Sequence, residues 1–579
     1  MRFQEFIEYL EKLEELSSRN EMVEVLVQLL QKLENSEANE AMYMLQGRIA
    51  PLFIDLEFNI STKLLLKALD DLSEEPVEEV YKKVGDIGLA AEEVCGEKSS
   101  GLSIEEVRDH LEEIAIIKGK DSQTKKKDLI VALSKKVSGK ELKFISRIIV
   151  GKLRLGLSDK TVLDAMSWML TGDKSLRSRI EHAFGVSADL GKIAEVLKTE
   201  GIDGLEKMSV TPGVPVAVKL VEREKDTKAI FERMGEAVVQ PKYDGLRFQV
   251  HFSKAGFDDE IESSGDLKHV RIFSRKMENL TFMFPDVIDA IQRFQVESIV
   301  LDAEAIVYDP KSDQLLTFQE TMQRKRKTNI EEMAKMFPIK VFCFDIMYLN
   351  GTSLLKAEQN ERLETLRKVM EANDNKTLVL SESQIVKSAK EMEDVFQKYV
   401  SDGLEGIIVK GLDTHYDPGT RNYDWIKLKA ASQSHMADTV DAVVMGYYLG
   451  TGARTKFGIG AFLIGTYDRA TDKYISLAKV GTGITDKEFV QIKRRLDQIA
   501  VDNIPKNYEI DRRVMPDVLV RPEVVVVVEA DEVSKSQVHG VVGREGYSLR
   551  FPRLIQFDRQ DKRPEDTTSP GELKRLATL

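Results

Sequence analysis

Phe3, Phe6, Ile7, Leu10, Leu13 and Leu16 recur at the three- and four-residue spacing of one helix face, and the same period returns in VLVQLLQKLE and FISRIIVGKLRLG. Ser17 and Asp121 stand between such stretches as cap candidates. No clear alternating pattern precedes about Pro212, so the first two hundred residues predict an all-α region. The stretch TPGVPV, Thr211 to Val216, carries two prolines and a glycine and predicts a linker or an extended entry into a new domain.

Beyond it the period changes to two. Leu246, Phe248, Val250 and Phe252 alternate with Arg247, Gln249 and His251, the pattern of a half-buried strand, and Val238 and Val239 end the strand before it, which puts Lys242 in the connecting loop. SIVLDAEAIVYD, IKVFCFDIMYL, LEGIIVK and WIKLK are further strand candidates, separated by helical stretches such as ERLETLRKVME. These predict an α+β domain built on antiparallel sheets. After Lys429, TVDAVVMGYYLG, GAFLIGTYD, YISLAKVGTG and EVVVVVEAD are strand-like runs with glycine-bearing turns and one helix, KEFVQIKRRLDQIA. Short strands with a single helix suit a small closed β-barrel of the OB-fold type. The expected organisation is multidomain: an all-α domain over 1–208, an α+β domain over 209–430 and an OB-fold domain over 431–579.

Composition narrows the class. The 579 residues are 42% hydrophobic and 31% charged, an ordinary globular balance. Two cysteines, Cys95 and Cys343, build neither a disulfide framework nor a four-cysteine zinc site, which fits a reducing, cytoplasmic setting. The N-terminus lacks the apolar run of a signal peptide, and no stretch approaches the ~20 apolar residues of a membrane span, so no membrane partner is expected. The net charge of −13 argues against a protein that coats nucleic acid nonspecifically. Between Lys118 and Arg154, however, 12 Lys or Arg face three acids, a local +9. Attraction to phosphate is local, because salt screens it beyond about 8 Å, so this segment is either a solvated helical surface or a nucleic-acid contact.

Lys242-Tyr243-Asp244-Gly245 follows a strand, and Pro241 and Gly245 bracket the lysine. Such a lysine is a nucleophile if its amine loses a proton. At an ordinary pKa near 10.4 only about one in a thousand is neutral at pH 7.4, so the site must supply cations or desolvation. Arg247 lies five residues on, and the strand period places Lys427 and Lys429 on one face. Alone, the pattern K-x-D-G is weak.

The ordered set is stronger. After KYDGLR come FSRKMENLT (273–281), LDAEAIV (301–307), LTFQETMQRKRK (316–327), FDIMYLNG (344–351), LEGIIVK (404–410), YDPGTRNYDWIKLK (416–429) and RFPRLIQFDRQDKRPEDTT (550–568). In order and spacing these resemble the signature motifs of ATP-dependent DNA ligases, in the covalent nucleotidyltransferase superfamily. GDIGLAAEEV, FISRIIVGKLRLGLSDKTVLDA and AFGVSADLGKIAEVL resemble the helical DNA-binding domain of the archaeal and replicative-type ligases, and the +9 segment falls inside it.

The resemblance implies three steps: attack of Lys242 on the α-phosphorus of ATP, transfer of AMP to the 5′-phosphate of a nick, and attack by the 3′-hydroxyl. It implies nucleotide contacts at Gln240, Arg247, Arg275, Glu304, Phe344, Arg421, Lys427 and Lys429, with Phe344 stacking on adenine. Glu304 and Glu405 would hold Mg2+, with Mn2+ as the alternative. Arg559, Asp561 and Lys562 would orient the pyrophosphate end of ATP. Lys118, Lys120, Lys125, Lys126, Lys127, Lys143 and Arg147 would contact DNA. Nicked double-stranded DNA is the implied partner of a monomer, with a sliding clamp as a further candidate, in DNA replication, repair and recombination. One departure stands out: where the family usually has glutamate two residues before the nucleophile, this chain has Gln240. Glutamine keeps an acceptor and adds a donor but loses the charge, which leaves nucleotide preference open. GTP-using capping enzymes and RNA ligases share the lysine core without this helical domain, and a noncatalytic scaffold predicts decay of the lysine or its cations, which are all present.

Overall fold

The computed structural model describes the chain apart from residues 74, 98, 258–267, 327, 431–438, 537, 540–545 and 578–579, together with the side chains at 319, 452 and 453. Lys327, at the end of one motif, lies outside the described residues. The chain forms two compact units, Met1–Ala430 and Ala431–Leu579.

The first unit begins with helices, from Phe3–Glu15 to Leu190–Glu206. Phe3, Phe6, Ile7, Leu10 and Leu13 are buried as their spacing predicts, and they share one core with Leu26, Phe144, Ile145, Ile148 and Leu163. Helix Arg19–Lys32 starts after Ser18, one residue past the expected Ser17. Helix Ser122–Ser134 starts after Asp121, which adopts left-handed backbone (φ 63°) and makes no side-chain cap bond.

Two sheets follow. The strands are β1 (Leu220–Arg223), β2 (Ala237–Lys242), β3 (Leu246–Ser253), β4 (Val270–Ser274), β5 (Ser298–Val307), β6 (Ile339–Leu349), β7 (Thr352–Ser353), β8 (Leu378–Leu380), β9 (Gln384–Val386), β10 (Gly406–Gly411) and β11 (Arg421–Lys429). One sheet runs β1-β11-β10-β2-β9; the other runs β4-β3-β5-β6-β7, with β8 also on β6. Pairing is antiparallel except for β1 with β11 and β6 with β8, so the sheets are mixed at their edges. Pro241 is tolerated inside β2 because β9 covers only Ala237–Val239, leaving β10 as the sole neighbour at the proline.

Strand alternation then sorts residues by face. Ala237, Val239, Ile407, Val409, Ile426 and Leu428 pack with Ile230, Val395 and Phe396 of the helices Thr227–Met234 and Ala389–Ser401. Phe248, Val250, Leu301, Ala303, Ala305 and Val341 pack with Val287, Ile291 and Leu366 of the helices Pro285–Ile291 and Gln359–Ala372. The residues in between, among them Gln240, Lys242, Lys427 and Lys429 on one sheet and Arg247, Asp302 and Glu304 on the other, fall on the opposite faces.

The second unit is strand-rich: β12 (Val440–Tyr448), β13 (Ala461–Asp468), β14 (Lys473–Val480), β15 (Ala500–Val501), β16 (Tyr508–Glu509), β17 (Val518–Val520), β18 (Val525–Glu529), β19 (Glu532–Ser536), β20 (Gly546–Arg550) and β21 (Arg553–Gln556). All but β19 and β20 join one sheet, and those two pair with each other. Helix Asp486–Asp497, where the sequence pattern expects it, buries Phe489, Ile492 and Leu496 in the same core as Val444, Ile464 and Val526. No described helix is long and apolar enough to cross a membrane.

Candidate functional site

Lys242 is the last residue of β2 rather than part of the loop, and pairs in register with Gly406 on β10. The Glu405 N–H donates to the Lys242 carbonyl at 3.1 Å, which brings the Glu405 side chain beside the lysine amine. Glu405 ion-pairs through one oxygen with Lys242 and through the other with Lys429. Burial disfavours the Glu405 charge, yet these two lysines hold its carboxyl below the usual range. Gly406 makes this possible: its φ is 147°, and a Cβ there would lie 2.1 Å from the Leu428 carbonyl oxygen. Gly245 serves closeness rather than a left-handed turn, because a Cβ would meet the Ala305 carbonyl at 2.5 Å and Glu304 Cγ at 3.0 Å. Tyr243 stacks on Phe342, centroids 4.2 Å apart, and fixes the chain between Lys242 and β3.

Arg247 is oriented from several sides. Its Nε and Nη2 donate to the two oxygens of Asp302 at 3.1 and 2.7 Å, Nη1 donates to the Lys219 carbonyl at 3.0 Å, and the Tyr416 hydroxyl donates to Asp302 at 2.7 Å. Burial opposes its charge, but Asp302 more than compensates and raises its pKa. In β3–β5 register Arg247 faces Glu304. Burial pushes the Glu304 carboxyl up to about 7 against the pull of Arg247 and Lys242. Lys427 is lowered by burial and by the surrounding Lys429, Lys242 and Arg421, so Lys242 lies among other cations. Arg421 opens β11 and is exposed; Arg275 follows β4, exposed, with its N–H on the Arg247 carbonyl at 3.2 Å.

Phe344 is half-buried, with the Arg247 guanidinium 5.3 Å and the Lys410 amine 4.9 Å from its ring centre. Its carbonyl accepts from Lys410 Nζ at 3.1 Å and from Gln240 Nε2 at 3.3 Å. A glutamate at 240 could not make the second bond, so the departure from the family pattern gains a donor inside the fold. Behind it Asp345, fully buried, pairs with Arg362 and Lys410. Sequence reasoning missed Asp302, Tyr416, Lys410 and Asp345, although all four lie inside the quoted motifs; only the tertiary contacts reveal their partners.

Among the described residues, no three His, Cys, Asp or Glu side chains converge as a protein-built metal cage requires. Glu304 and Glu405 both lie beside Lys242, Glu405 with its two oxygens on Lys242 and Lys429, and a magnesium-type ion asks for only one or two protein carboxylates.

Arg559, Asp561 and Lys562 meet within the second unit. Arg559 binds Asp561 and places Nη1 2.9 Å from Asp441, and Lys562 pairs with the other Asp441 oxygen.

The helical cations need correction. Lys118, Lys120 and Lys125 are exposed. Lys126 is buried and donates to the Phe58 carbonyl at 2.6 Å, and Lys127 pairs with Asp71 at 3.1 Å. Lys143 and Arg147 are buried on Glu14, at 2.7 and 2.8 Å, and Arg147 also holds Asp86. A buried ammonium or guanidinium must be neutralised or hydrogen-bonded, so Lys126, on its carbonyl, and Lys143 and Arg147, on their carboxylates, face inward and their charge is taken up inside the fold.

Residues 2–167 match the family model for the DNA ligase N terminus, 219–429 that for the ATP dependent DNA ligase domain, and 455–562 that for the ATP dependent DNA ligase C terminal region. A probable DNA ligase of Dictyoglomus turgidum is 40% identical over 540 residues, covering 92% of this chain and 90% of its own. A DNA ligase of Nitrosopumilus maritimus is 36% identical at the same coverage. A solved structure titled Pmar-Lig_Pre, 16% identical, superposes with a TM-score of 0.57 over 96% of this chain and 99% of its own, a likeness of fold. With family models matched over 2–167, 219–429 and 455–562 and relatives of this identity along the whole chain, the protein belongs to the ATP-dependent DNA ligases, enzymes that seal nicks in duplex DNA through an enzyme–adenylate.

Proposed function

We propose that Lys242 is the residue that carries AMP. Its amine, once deprotonated, forms a bond to the α-phosphorus of ATP while the bond to pyrophosphate breaks, and the AMP then passes to the nick 5′-phosphate before the 3′-hydroxyl displaces it. The observation that carries this reading is the gathering around Lys242 of Glu405, Lys427 and Glu304 from two sheets, with Lys429 held on Glu405 and Arg247 beside Glu304. Cations of this kind align phosphate and neutralise charge developing on its oxygens, which is most of what phosphoryl transfer asks of a protein. Arg275 and Arg421, exposed at the rim, extend that contact toward ribose and phosphate, Phe344 offers its ring to adenine, and Gln240 reads the base edge. Glu304 and Glu405 would hold Mg2+, which supplies positive charge to phosphate oxygens when bound.

In this reading the chain works as three modules, a helical DNA-binding region over 1–208, the adenylation region over 209–430 and an OB-fold over 431–579, the last carrying Arg559, Asp561 and Lys562 for the pyrophosphate end of ATP. Lys118, Lys120 and Lys125 give the helical region its exposed phosphate contacts, with Lys127 at their edge. The protein acts as a cytoplasmic monomer on nicks left by replication, repair and recombination, with a sliding clamp as its candidate partner. Incubation with α-labelled ATP, GTP or NAD, followed by denaturing electrophoresis, tests the core of this. Acid-labile label is expected from ATP in the wild type and none in Lys242→Ala. Label from GTP alone, or undiminished label in the variant, overturns it.

A further inference from the structure

We propose that Asp441 is a positioning residue for lysine adenylation, the carboxylate that, among the described residues, holds both Arg559 and Lys562. The proposal rests on the reading that these two cations serve the pyrophosphate end of ATP.

Asp441 is the second residue of β12, and its place is fixed by the backbone. It pairs with Val527 on β18, its N–H donates to the Thr568 hydroxyl at 3.1 Å, and its carbonyl accepts the Thr568 N–H at 2.9 Å. Thr568 is tied in turn to Thr466 on β13. The carboxylate is 11% exposed and divides its oxygens, Oδ1 to Arg559 Nη1 at 2.9 Å and Oδ2 to Lys562 Nζ. The two cations are 28% and 33% exposed, so each keeps a face toward solvent while its other side is held. Asp561, at 66% exposure, binds Arg559 alone. Asp561 grips Arg559 bidentately, Nε and Nη2 donating to its two oxygens at 2.9 and 3.1 Å, but it lies in the same irregular segment as its partner, whereas Asp441 is fixed in β12 and ties the cations to the sheet.

Two like charges three residues apart repel, and residues 559–562 form neither helix nor strand that would hold them. Asp441 offsets that repulsion and fixes their spacing, which preorganises two charges for an anion bearing several oxygens. An Asn at 441 keeps the shape but loses the charge, and its amide nitrogen would oppose one of the two donors.

The test uses the full chain and separates the steps. In Asp441→Asn the rate of enzyme adenylation by ATP should fall about a hundredfold, while sealing of a nick that already carries a 5′-adenylate, which bypasses that step, stays within about twofold of wild type. Asp441→Glu, which keeps the charge, should recover adenylation in part. Arg559→Ala tests the underlying reading: if it adenylates normally, the assignment of these cations to ATP fails and the proposal fails with it. If Arg559→Ala is impaired but Asp441→Asn is not, the proposal alone is overturned. Equal loss of both steps in Asp441→Asn, unrelieved in Asp441→Glu, also overturns it, because that is the signature of a merely structural residue.

Discussion

Asp302→Asn is the perturbation that most directly probes how the nucleotide site is built. Asp302 is fully buried and accepts two hydrogen bonds from Arg247 and one from Tyr416, so the neutral amide leaves a buried guanidinium without its counter-charge and turns an amide nitrogen toward at least one donor. Breaking a buried pair from one side costs 3–5 kcal/mol in general. Here about 3 kcal/mol is expected, the lower end, because Arg247 retains the Lys219 carbonyl and keeps 16% exposure. Trp425 reports the change locally: it is 1% exposed and lies 5.8 Å from the guanidinium, and Trp168, the other tryptophan, is removed by Trp168→Phe. With a urea slope of roughly 3 kcal/mol per molar, the Trp425 transition should move down by about 1 M, and enzyme adenylation should slow about a hundredfold as Arg247 loses its orientation. In Asp302→Asn/Arg247→Met, where no unpaired charge remains, much of the stability should return although activity does not. The reasoning is refuted if Asp302→Asn moves neither the midpoint nor the rate, or if the double variant is as unstable as the sum of the two single ones.

The raised Glu304 carboxyl, about 7 in the fold against an ordinary 4.5, binds its proton more tightly in the folded than in the unfolded chain. Its contribution is therefore full below about pH 4.5 and lost as pH rises through 7, so the urea midpoint of Glu304→Gln should gain on wild type between pH 5 and pH 8; a constant difference contradicts the burial argument. Changing Lys118, Lys120 and Lys125 together to glutamate should weaken nick binding and flatten the plot of log affinity against log salt by up to about 2.7, with enzyme adenylation unaltered; an unchanged salt slope removes the contact. Lys143→Met should instead lower the thermal stability of the helical region and leave the salt slope nearly intact, and the opposite pattern would show that Lys143 meets DNA.

Periodicity reveals the architecture because burial on one face leaves its mark on every second or every third and fourth residue. Phe3 to Leu13 and Phe248 to Phe252 are such marks and are buried as their spacing requires, but the structure also buries Gln249 and His251 between them, so β3 is covered on both faces rather than half-buried. The mixed edges of the sheets left no mark, since β1 and β8 are short and a parallel neighbour changes no side-chain pattern. The site residues are legible as an ordered set of motifs, but their partners are not. Nothing around Asp302 in LDAEAIV says that it holds Arg247, 55 positions away, and nothing around Asp441 says that it meets Arg559.

Charge counting failed for the same reason. The +9 of residues 118–154 sums cations regardless of what each touches, and Glu14, Asp71 and Asp86, which neutralise four of them, lie outside the window. What separates Lys125 from Lys126 is one step along helix Ser122–Ser134, which turns the first to water and the second onto the Phe58 carbonyl. A sum over a helical segment therefore overstates its field by the cations on the inward face, since those must be neutralised or hydrogen-bonded to be buried at all. Strands repeat the lesson with opposite sign. In β11 the period of two sends Ile426 and Leu428 into the core and Lys427 and Lys429 into the site, so two lysines alone place both their charges on one face. Electrostatic readings of sequence are sound where the period of the element is applied before the charges are added.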